Sequence, residues 1–539
     1  MTQLTVYQRT TPTDYPIFDS LGPISRGGMR KNPTLICAPI MVETVEKIVA
    51  DTVKAKASGA DLVEIRFDSL KSFNPIDDLD RLIKLSPLPT LFTYRPVWEG
   101  GRYDGDENKR LDALRLAMEL GVDYVDVELQ VAQIFYESIC GKKPKKCKVI
   151  VSSHNYQNTP VEDLGNRVAR IQADGADIVK IATTALYITD VARIFQITVH
   201  SQVPIIGIVM GKKGLTSRIL CAKFGGFLTF GTLESGVVSA PGQPTIKDLL
   251  DLYNFRQIRL DTKVFGIIGN PVGHSKSPAL YNVAFKSIGF NAVYVHSLVD
   301  SLVNFLQTYS STDFAGFSCT IPHKEAAVKC CDEVNPVAKS IGVVNCIIRR
   351  QSDGKLFGFK IDYVGAISAI EDGLRVSQNI SSRTSSPLSS KLFVVIGAGG
   401  AEKLLAYGAK EKGARVVIAN RTYDRAKELA DVVGGDAISL ADLKMFHPEN
   451  IMILANTTSI GMHPKVDETP IPKNALRYYS LVLDVIYTPK ITRLLREVGE
   501  SGAAIVSGVE MFIGQAYEQF KSFTNLPAPK ELFWTTMAK

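Results

Sequence analysis

The sequence predicts an α/β protein in two parts: a (β/α)8 TIM-type barrel, then a two-subdomain block that ends in a Rossmann nucleotide-binding sheet. Three observations predict it. Between residues 34 and 232 a short apolar, β-rich run alternates eight times with a helical stretch. After Asp251 that rhythm breaks and a new strand opens at 264–270 (VFGIIGN). At 396–401 a glycine-rich turn (IGAGGA) follows a strand and opens a helix. The length agrees: 539 residues exceed one ordinary core, and at roughly 100–250 residues per domain two to four domains are expected.

Residues 1–32 form a polar tail without an apolar signal core. The tail carries Arg9, Arg26 and Arg30 but also Asp14 and Asp19, whereas a transit peptide is poor in acids. A cytoplasmic location is therefore expected, with a processed plastid-stroma precursor as the alternative. The barrel is expected over 33–251. Its strands are predicted at 34–41, 61–68, 90–96, 124–129, 148–154, 177–183, 204–210 and 227–231, with helical periodicity between them, as at 42–58 and 108–120. Buried parallel strands read as nearly continuous apolar runs, which is what these segments show. A second block is expected over 262–375. The Ser-rich stretch 376–390 reads as a flexible connection, and the nucleotide-binding block follows at 391–511.

Composition excludes several functions. A hydrophobic fraction of 45% with 22% charged residues is that of a water-soluble globular chain, and no apolar run reaches the ~18–20 residues a membrane helix needs. The net charge of +7 is mild and dispersed, so it suits small anionic substrates better than nucleic acid. The basic stretch 142–148 (KKPKKCK) reads as a solvated turn. Eight scattered cysteines, none in a CxxC or zinc-type spacing, point to reduced thiols and no metal.

A (β/α)8 barrel places its chemistry at the C-terminal ends of the strands. The sequence sets Glu64 and Arg66 late in the second strand, Arg95 at the end of the third, His154 at the end of the fifth and Lys180 within the sixth. Arg218 follows the seventh, and Ser239-Ala240-Pro241-Gly242-Gln243 follows the eighth. Lys180 lies in an apolar run (IVKI), where desolvation is expected to lower its pKa and make it nucleophilic. Such a lysine forms an imine with a carbonyl substrate, which acidifies the neighbouring carbon and permits loss of water. His154 is the natural general base and acid. The arginines would clamp a carboxylate. The plain alternatives are a Lys180–Glu64 salt bridge and a core histidine.

Residues 34–250 resemble type I 3-dehydroquinate dehydratase. The resemblance rests on Val63-Glu64-Ile65-Arg66, Thr93-Tyr94-Arg95, Glu99-Gly100-Gly101, Ser153-His154, Lys180-Ile181-Ala182, Ser217-Arg218 and the 239–243 loop. It implies that Lys180 forms the imine and His154 shuttles protons. Glu64, Arg66, Arg95 and Arg218 would hold the substrate, with Ser239 and Gln243 on a closing loop.

In the second block, Gly397, Ala398, Gly399, Gly400 and Ala401 would let a pyrophosphate approach a helix N-terminus. The next strand ends in Asn420-Arg421-Thr422 rather than an acid, which suits the 2′-phosphate of NADP. Upstream lie Asn270-Pro271-Val272-Gly273-His274-Ser275-Lys276-Ser277-Pro278, Thr320-Ile321-Pro322-His323-Lys324 and Gly342-Val343-Val344-Asn345. Lys324 and Asp362 are a candidate acid–base pair.

These segments resemble shikimate dehydrogenase over 262–539, and the whole chain resembles the fused plant-type dehydratase–dehydrogenase. The resemblance implies Lys324 and Asp362 as the catalytic pair, Ser275 and Ser277 on the carboxylate, and Thr320, Asn345 and Gln515 on hydroxyls, with Tyr487 nearby. It also implies NADP on the 397–401 turn, Asn420, Arg421, Thr422, Thr457 and Gly508. Helices in 512–539 would return to the substrate subdomain. The substrates implied are 3-dehydroquinate, 3-dehydroshikimate and shikimate, handled by a monomer. Two departures stand out. The family motif Gly-x-Asn-Thr-Asp reads Gly358-Phe359-Lys360-Ile361-Asp362, and Glu402 occupies a small-residue position of the phosphate loop. They keep two alternatives open: a weak or inactive dehydrogenase half, or one retuned to quinate. Ser275, Ser277 and Thr320 favour shikimate over a bulkier ring.

Overall fold

The computed structural model describes residues 33–140, 143–236, 239–380, 385–398 and 400–538. The tail and parts of the 142–148 and 376–390 segments lie outside them, as does Gly399. The chain divides into two compact units: the described residues up to Pro278 with Asn291–Phe314, and Ala279–Phe290 with the residues from Ala315 onward.

Unit one is built on eight parallel strands: β1 (Leu35–Ile40), β2 (Leu62–Arg66), β3 (Thr90–Thr93), β4 (Tyr124–Glu128), β5 (Lys148–His154), β6 (Ile178–Thr184), β7 (Ile205–Met210) and β8 (Leu228–Phe230). They run in the order β7-β6-β5-β4-β3-β2-β1-β8. The Phe227 N–H reaches the Ile205 carbonyl at 2.8 Å and brings β8 back to β7, so the barrel is nearly closed. Each strand lies where its apolar run predicted it.

Helices fill the intervals because the intervening segments carry caps. The Asp106 side chain accepts the Lys109 N–H ahead of Glu107–Glu119, and the Asn74 side chain accepts the Ile76 N–H ahead of Pro75–Leu85. Alternation along each strand sorts the interior into layers. Cys37, Leu62, Leu91, Ile150, Ile178, Ile206 and Leu228 share an apolar cluster at the barrel's base. Two residues further along β2, β3, β4, β5 and β6 stand Glu64, Thr93, Asp126, Ser152 and Lys180, all buried. The next step brings Arg66, Arg95, Glu128 and His154 to the mouth. Unit one also holds β9 (Lys263–Gly269), which pairs in parallel with β10 (Ala292–Leu298).

Unit two takes β11 (Phe314–Cys319) from Ala315 onward, and its residues from Gly316 pair antiparallel with β13 (Cys346–Arg349). β13 pairs antiparallel with β14 (Leu356–Phe359), which takes the short β12 (Glu333–Val334) on its other side. Its second sheet is parallel throughout: β15 (Leu392–Ile396), β16 (Arg415–Asn420), β17 (Asp436–Ser439), β18 (Met452–Asn456), β19 (Tyr479–Asp484) and β20 (Ala504–Val506). The order β17-β16-β15-β18-β19-β20 reverses direction between β15 and β18. In sheets of this kind the crevice at that reversal takes the ligand. Helices Asp362–Ser377 and Gly508–Thr524 cross closely at Gly365 and Gly514. A Cβ on Gly365 would stand 2.2 Å from the Gln515 nitrogen, so only glycine permits the contact.

Candidate active sites

The barrel mouth brings together all eight residues expected there. Glu64, Arg66, Arg95, His154, Lys180, Arg218, Ser239 and Gln243 line one pocket with Tyr156, Met210 and Phe230. The surroundings of Lys180 differ from the apolar ones its flanking residues suggested, and the alternative Lys180–Glu64 ion pair is present. Its ammonium lies 2.8 Å from Asp126 Oδ2 and 3.5 Å from Glu64 Oε1, with the Phe230 ring 5.1 Å away. The flanking isoleucine and valine face outward, because neighbours on a strand point to opposite sides.

Asp126 is the hub. Its Oδ1 accepts from Ser152 Oγ at 2.6 Å and pairs with Arg95 Nη2 at 2.9 Å. Burial alone would raise this carboxyl, but Arg95 and Lys180 outweigh it and hold it far below the usual carboxylate range. Arg95 also binds Glu128 at 2.7 Å, and Glu128 is held by Arg110 at 2.8 Å.

His154 is buried against Glu99, whose Oε1 accepts the His154 backbone N–H at 2.7 Å and lies 3.1 Å from Nδ1. Burial, then the charges of Arg95 and Lys180, push the imidazole well below its ordinary pKa, so the ring is neutral at pH 7. A neutral ring that donates Nδ1–H to Glu99 keeps a free lone pair on Nε2.

The arginines divide by partner. Arg66 spends its fork on Asp68, at 2.9 and 2.7 Å. Arg218, on helix Leu215–Leu220, is almost fully buried, and its Nε and Nη1 have no hydrogen-bond partner among the described residues. Burial pushes its guanidinium down to about 10. A buried, unpaired cation is costly, and an anionic ligand would relieve that cost. The 239–243 loop closes on itself: Gln243 Nε2 donates to Ser239 Oγ at 2.8 Å, and Gln243 Oε1 accepts the Ser239 N–H at 2.9 Å.

Sequence reasoning did not assign roles to Asp126, Glu128, Glu99, Arg110 or Ser152. The signal for two of them was present. Asp126 and Glu128 stand two apart in an otherwise apolar strand (YVDVE), so both face the same interior side.

In unit two, Lys324, Asn345, Lys360 and Asp362 converge. Asp362 begins helix Asp362–Ser377, and its Oδ2 is held by Lys360 in a very short contact, while Lys324 lies 3.8 Å from the same oxygen. Asn345 donates to Asp362 Oδ1, and its own Oδ1 accepts the Ile361 N–H at 2.8 Å. Burial would raise the Asp362 carboxyl, but Lys360 and Lys324 bring it below its ordinary value. Burial pushes Lys360 down, partly offset by Asp362. The Ile361 side chain is buried. Thr320 follows β11, and the preceding Cys319 N–H binds the Asn345 carbonyl at 2.7 Å, which sets Thr320 beside this group. Gln515 rides on helix Gly508–Thr524, held against Gly365, and Tyr487 is exposed. Ser275 and Ser277 belong to unit one, where Ser275 Oγ accepts the Ser277 N–H at 3.2 Å.

At the β15–β18 crevice, Gly397 has φ 128°, open to glycine. A Cβ there would meet the Glu402 side chain at 2.5 Å and Thr457 Oγ1 at 2.6 Å. The Glu402 carboxylate thus folds back over the turn. Ala398 packs on the sheet core, and Gly400 opens helix Gly400–Glu411, with Ala401 next. Asn420 Nδ2 donates to the Thr422 carbonyl at 3.0 Å, shaping the turn that presents the exposed Arg421. Gly508 passes within 2.5 Å (as a Cβ) of the Val485 carbonyl, which again demands glycine.

Known proteins match along the chain. Residues 36–259 match the type I 3-dehydroquinase model, and 267–347 the shikimate dehydrogenase substrate binding domain. Residues 379–484 match shikimate / quinate 5-dehydrogenase, and 508–537 the shikimate 5'-dehydrogenase C-terminal domain. A chloroplastic bifunctional 3-dehydroquinate dehydratase/shikimate dehydrogenase of Arabidopsis thaliana is 71% identical over 512 residues, 94% of this chain and 85% of that protein. The chain belongs to this bifunctional family. Its dehydrogenase half alone is 37% identical over 269 residues to an NADP(+) shikimate dehydrogenase of Bacillus cereus, covering 49% of this chain and 92% of that protein. A solved dehydroquinate dehydratase and shikimate dehydrogenase from S. pombe is 24% identical, covers 94% of this chain and 99% of its own, and superposes with a TM-score of 0.46. The barrel pocket is therefore in the dehydratase half, and the Lys324–Asp362 cluster is in the dehydrogenase half.

Proposed function

We propose that the dehydratase half, residues 33–251, converts 3-dehydroquinate to 3-dehydroshikimate through an imine on Lys180. The dehydrogenase half, with its substrate subdomain at 262–375, its NADP subdomain at 391–511 and its closing helices at 512–539, reduces that product to shikimate. The observation that carries this reading is the shared barrel mouth, where the Lys180 nitrogen, a neutral imidazole and a buried guanidinium with no acidic partner among the described residues face one pocket.

Arg218 takes the substrate carboxylate on its free Nε and Nη1. Lys180 attacks the ketone and expels water to form the imine, whose positive nitrogen draws electrons from the neighbouring carbon. His154 Nε2 removes the proton from that carbon, the hydroxyl one carbon further leaves as water with the proton His154 returns, and water then hydrolyses the imine to free the ketone product and Lys180. Asp126 and Glu64 stabilise the cationic nitrogen, and Ser239 and Gln243 close over the ring. Glu99 keeps the imidazole in the tautomer this exchange requires.

In the dehydrogenase half, Ser275 and Ser277 bind the carboxylate, and Thr320, Asn345, Gln515 and Tyr487 contact the ring. Lys324 exchanges the proton at the reacting oxygen, with Asp362 holding its charge. The residues fit NADP. Gly397 supplies the positive φ that the phosphate turn needs, Arg421 offers a cation for the 2′-phosphate, and Thr422, Asn420, Thr457 and Gly508 shape the cleft. When bound, the nicotinamide supplies or accepts the hydride. Shikimate is preferred to quinate, because Ser275, Ser277 and Thr320 suit the less bulky substrate.

We read the chain as a monomer. No described helix is long and apolar enough to cross a membrane. The cytoplasmic expectation stands beside the plastid location carried by the Arabidopsis relative's name.

Borohydride trapping tests the imine. Substrate should become attached at Lys180, and Lys180→Ala should lose both trapping and dehydration while keeping shikimate oxidation. Covalent trapping by Lys180→Ala would move the imine to another lysine.

A further inference from the structure

We propose that Tyr253 and His296 are positioning residues for the dehydrogenase reaction, holding the loop that carries Ser275 and Ser277. The proposal rests on the reading that these serines bind the substrate carboxylate. Tyr253 follows the π-helical turn Asp248–Leu252 at the end of the barrel segment, and its N–H binds the Asp248 carbonyl at 3.0 Å. Its hydroxyl is 2.9 Å from His296 Nδ1, and His296 Nε2 is 3.1 Å from the Ser275 carbonyl.

The chemistry of these atoms fixes the direction of the chain. A carbonyl only accepts, so Nε2 carries the proton. The ring is neutral: burial pushes His296 down, and His274 adds to it, outweighing the Ser275 carbonyl. Nδ1 therefore accepts, and the Tyr253 hydroxyl donates. One backbone carbonyl is thereby pinned from a buried phenol through one imidazole. The bond from the Ser277 N–H to Ser275 Oγ, 3.2 Å, carries that restraint to the second serine.

The anchor sits on a paired strand. His296 sits in the middle of β10, opposite Ile267 of β9. Beyond the end of β10, Asp300 is bound by Lys213 at 2.7 Å, and Tyr309 donates to the Ile188 carbonyl at 2.8 Å. Lys213 and Ile188 both belong to the barrel segment. A satisfied core histidine would bond to another core group. This one bonds to the backbone of an otherwise exposed loop, flanked by His274 and Lys276.

The test is steady-state kinetics of both activities in the full-length protein. Tyr253→Phe removes one hydroxyl and should raise the KM for shikimate about fivefold. Its kcat should stay within about twofold, and the KM for NADP and dehydratase kcat/KM should not change. His296→Ala should raise the shikimate KM further. His296→Gln keeps an N–H donor for the Ser275 carbonyl and should recover most of the loss. Ser275→Ala sets the scale. An unchanged KM in Tyr253→Phe and His296→Ala, with a raised KM in Ser275→Ala, overturns this inference and leaves the serine assignment intact. An unchanged KM in Ser275→Ala overturns the serine assignment itself. If both activities fall together with the unfolding midpoint, the pair is merely structural and the inference fails.

Discussion

Two residues distinguish this dehydrogenase half, and each makes a testable prediction. Lys360 stands closer to Asp362 than Lys324 does, so it shares the carboxylate on which the acid–base pair depends. Its charge helps keep Asp362 ionised at lower pH. Lys360→Asn removes that cation, so the Asp362 carboxyl should titrate at higher pH. The acid limb of the kcat/KM profile for shikimate oxidation should then move up by about one pH unit, the lower end for an opposite charge within ~4–6 Å. A limb that stays in place would mean that another group sets it. Glu402 folds its carboxylate over the turn meant for a pyrophosphate. Glu402→Gly should tighten NADPH about tenfold, or about 1.4 kcal/mol, in a fluorescence titration. An unchanged Kd would show that the side chain leaves when the cofactor enters.

At the scale of elements, much was legible in the sequence. The eight barrel strands lie at their apolar runs because a parallel strand buried on both faces has little room for polar residues. The glycine-rich turn after β15 lies at the reversal of the second sheet, as its context implied. The residues that face the barrel pocket were legible where a charge interrupts a strand end, as at Arg66 and His154. The network behind them was not. Whether Lys180 meets isoleucines or carboxylates depends on which strands become neighbours and how far they are staggered, and a linear reading of IVKI contains neither. The helix crossing was equally hidden, since Gly365 and Gly514 lie far apart in sequence. Gly365→Ala would force a Cβ against the Gln515 backbone. It should destabilise unit two by about 1–3 kcal/mol, as overpacking does, and displace Gln515. Thermal unfolding should show a lowered transition, and the KM for shikimate should rise while dehydratase turnover is kept. Unchanged stability would mean that the helices part without cost.

At the scale of the molecule, one chain carries two distinct chemistries in two separately built sites. The barrel half relies on burial: Asp126, Arg95 and Lys180 balance one another in a water-poor layer, and Arg218 waits for an anion. The dehydrogenase half combines a half-buried Lys324 and an exposed Arg421 with the buried Lys360 and Glu402. The product of the first site is the substrate of the second, so the two can be read together in one assay. Purified protein is supplied with 3-dehydroquinate and NADPH, and absorbance at the NADPH band is followed. The expected result is steady NADPH oxidation with shikimate as the end product. Dehydroshikimate accumulating while NADPH is untouched would contradict it and would leave a dehydratase whose second half, with Lys360, Ile361 and Glu402, no longer reduces this substrate.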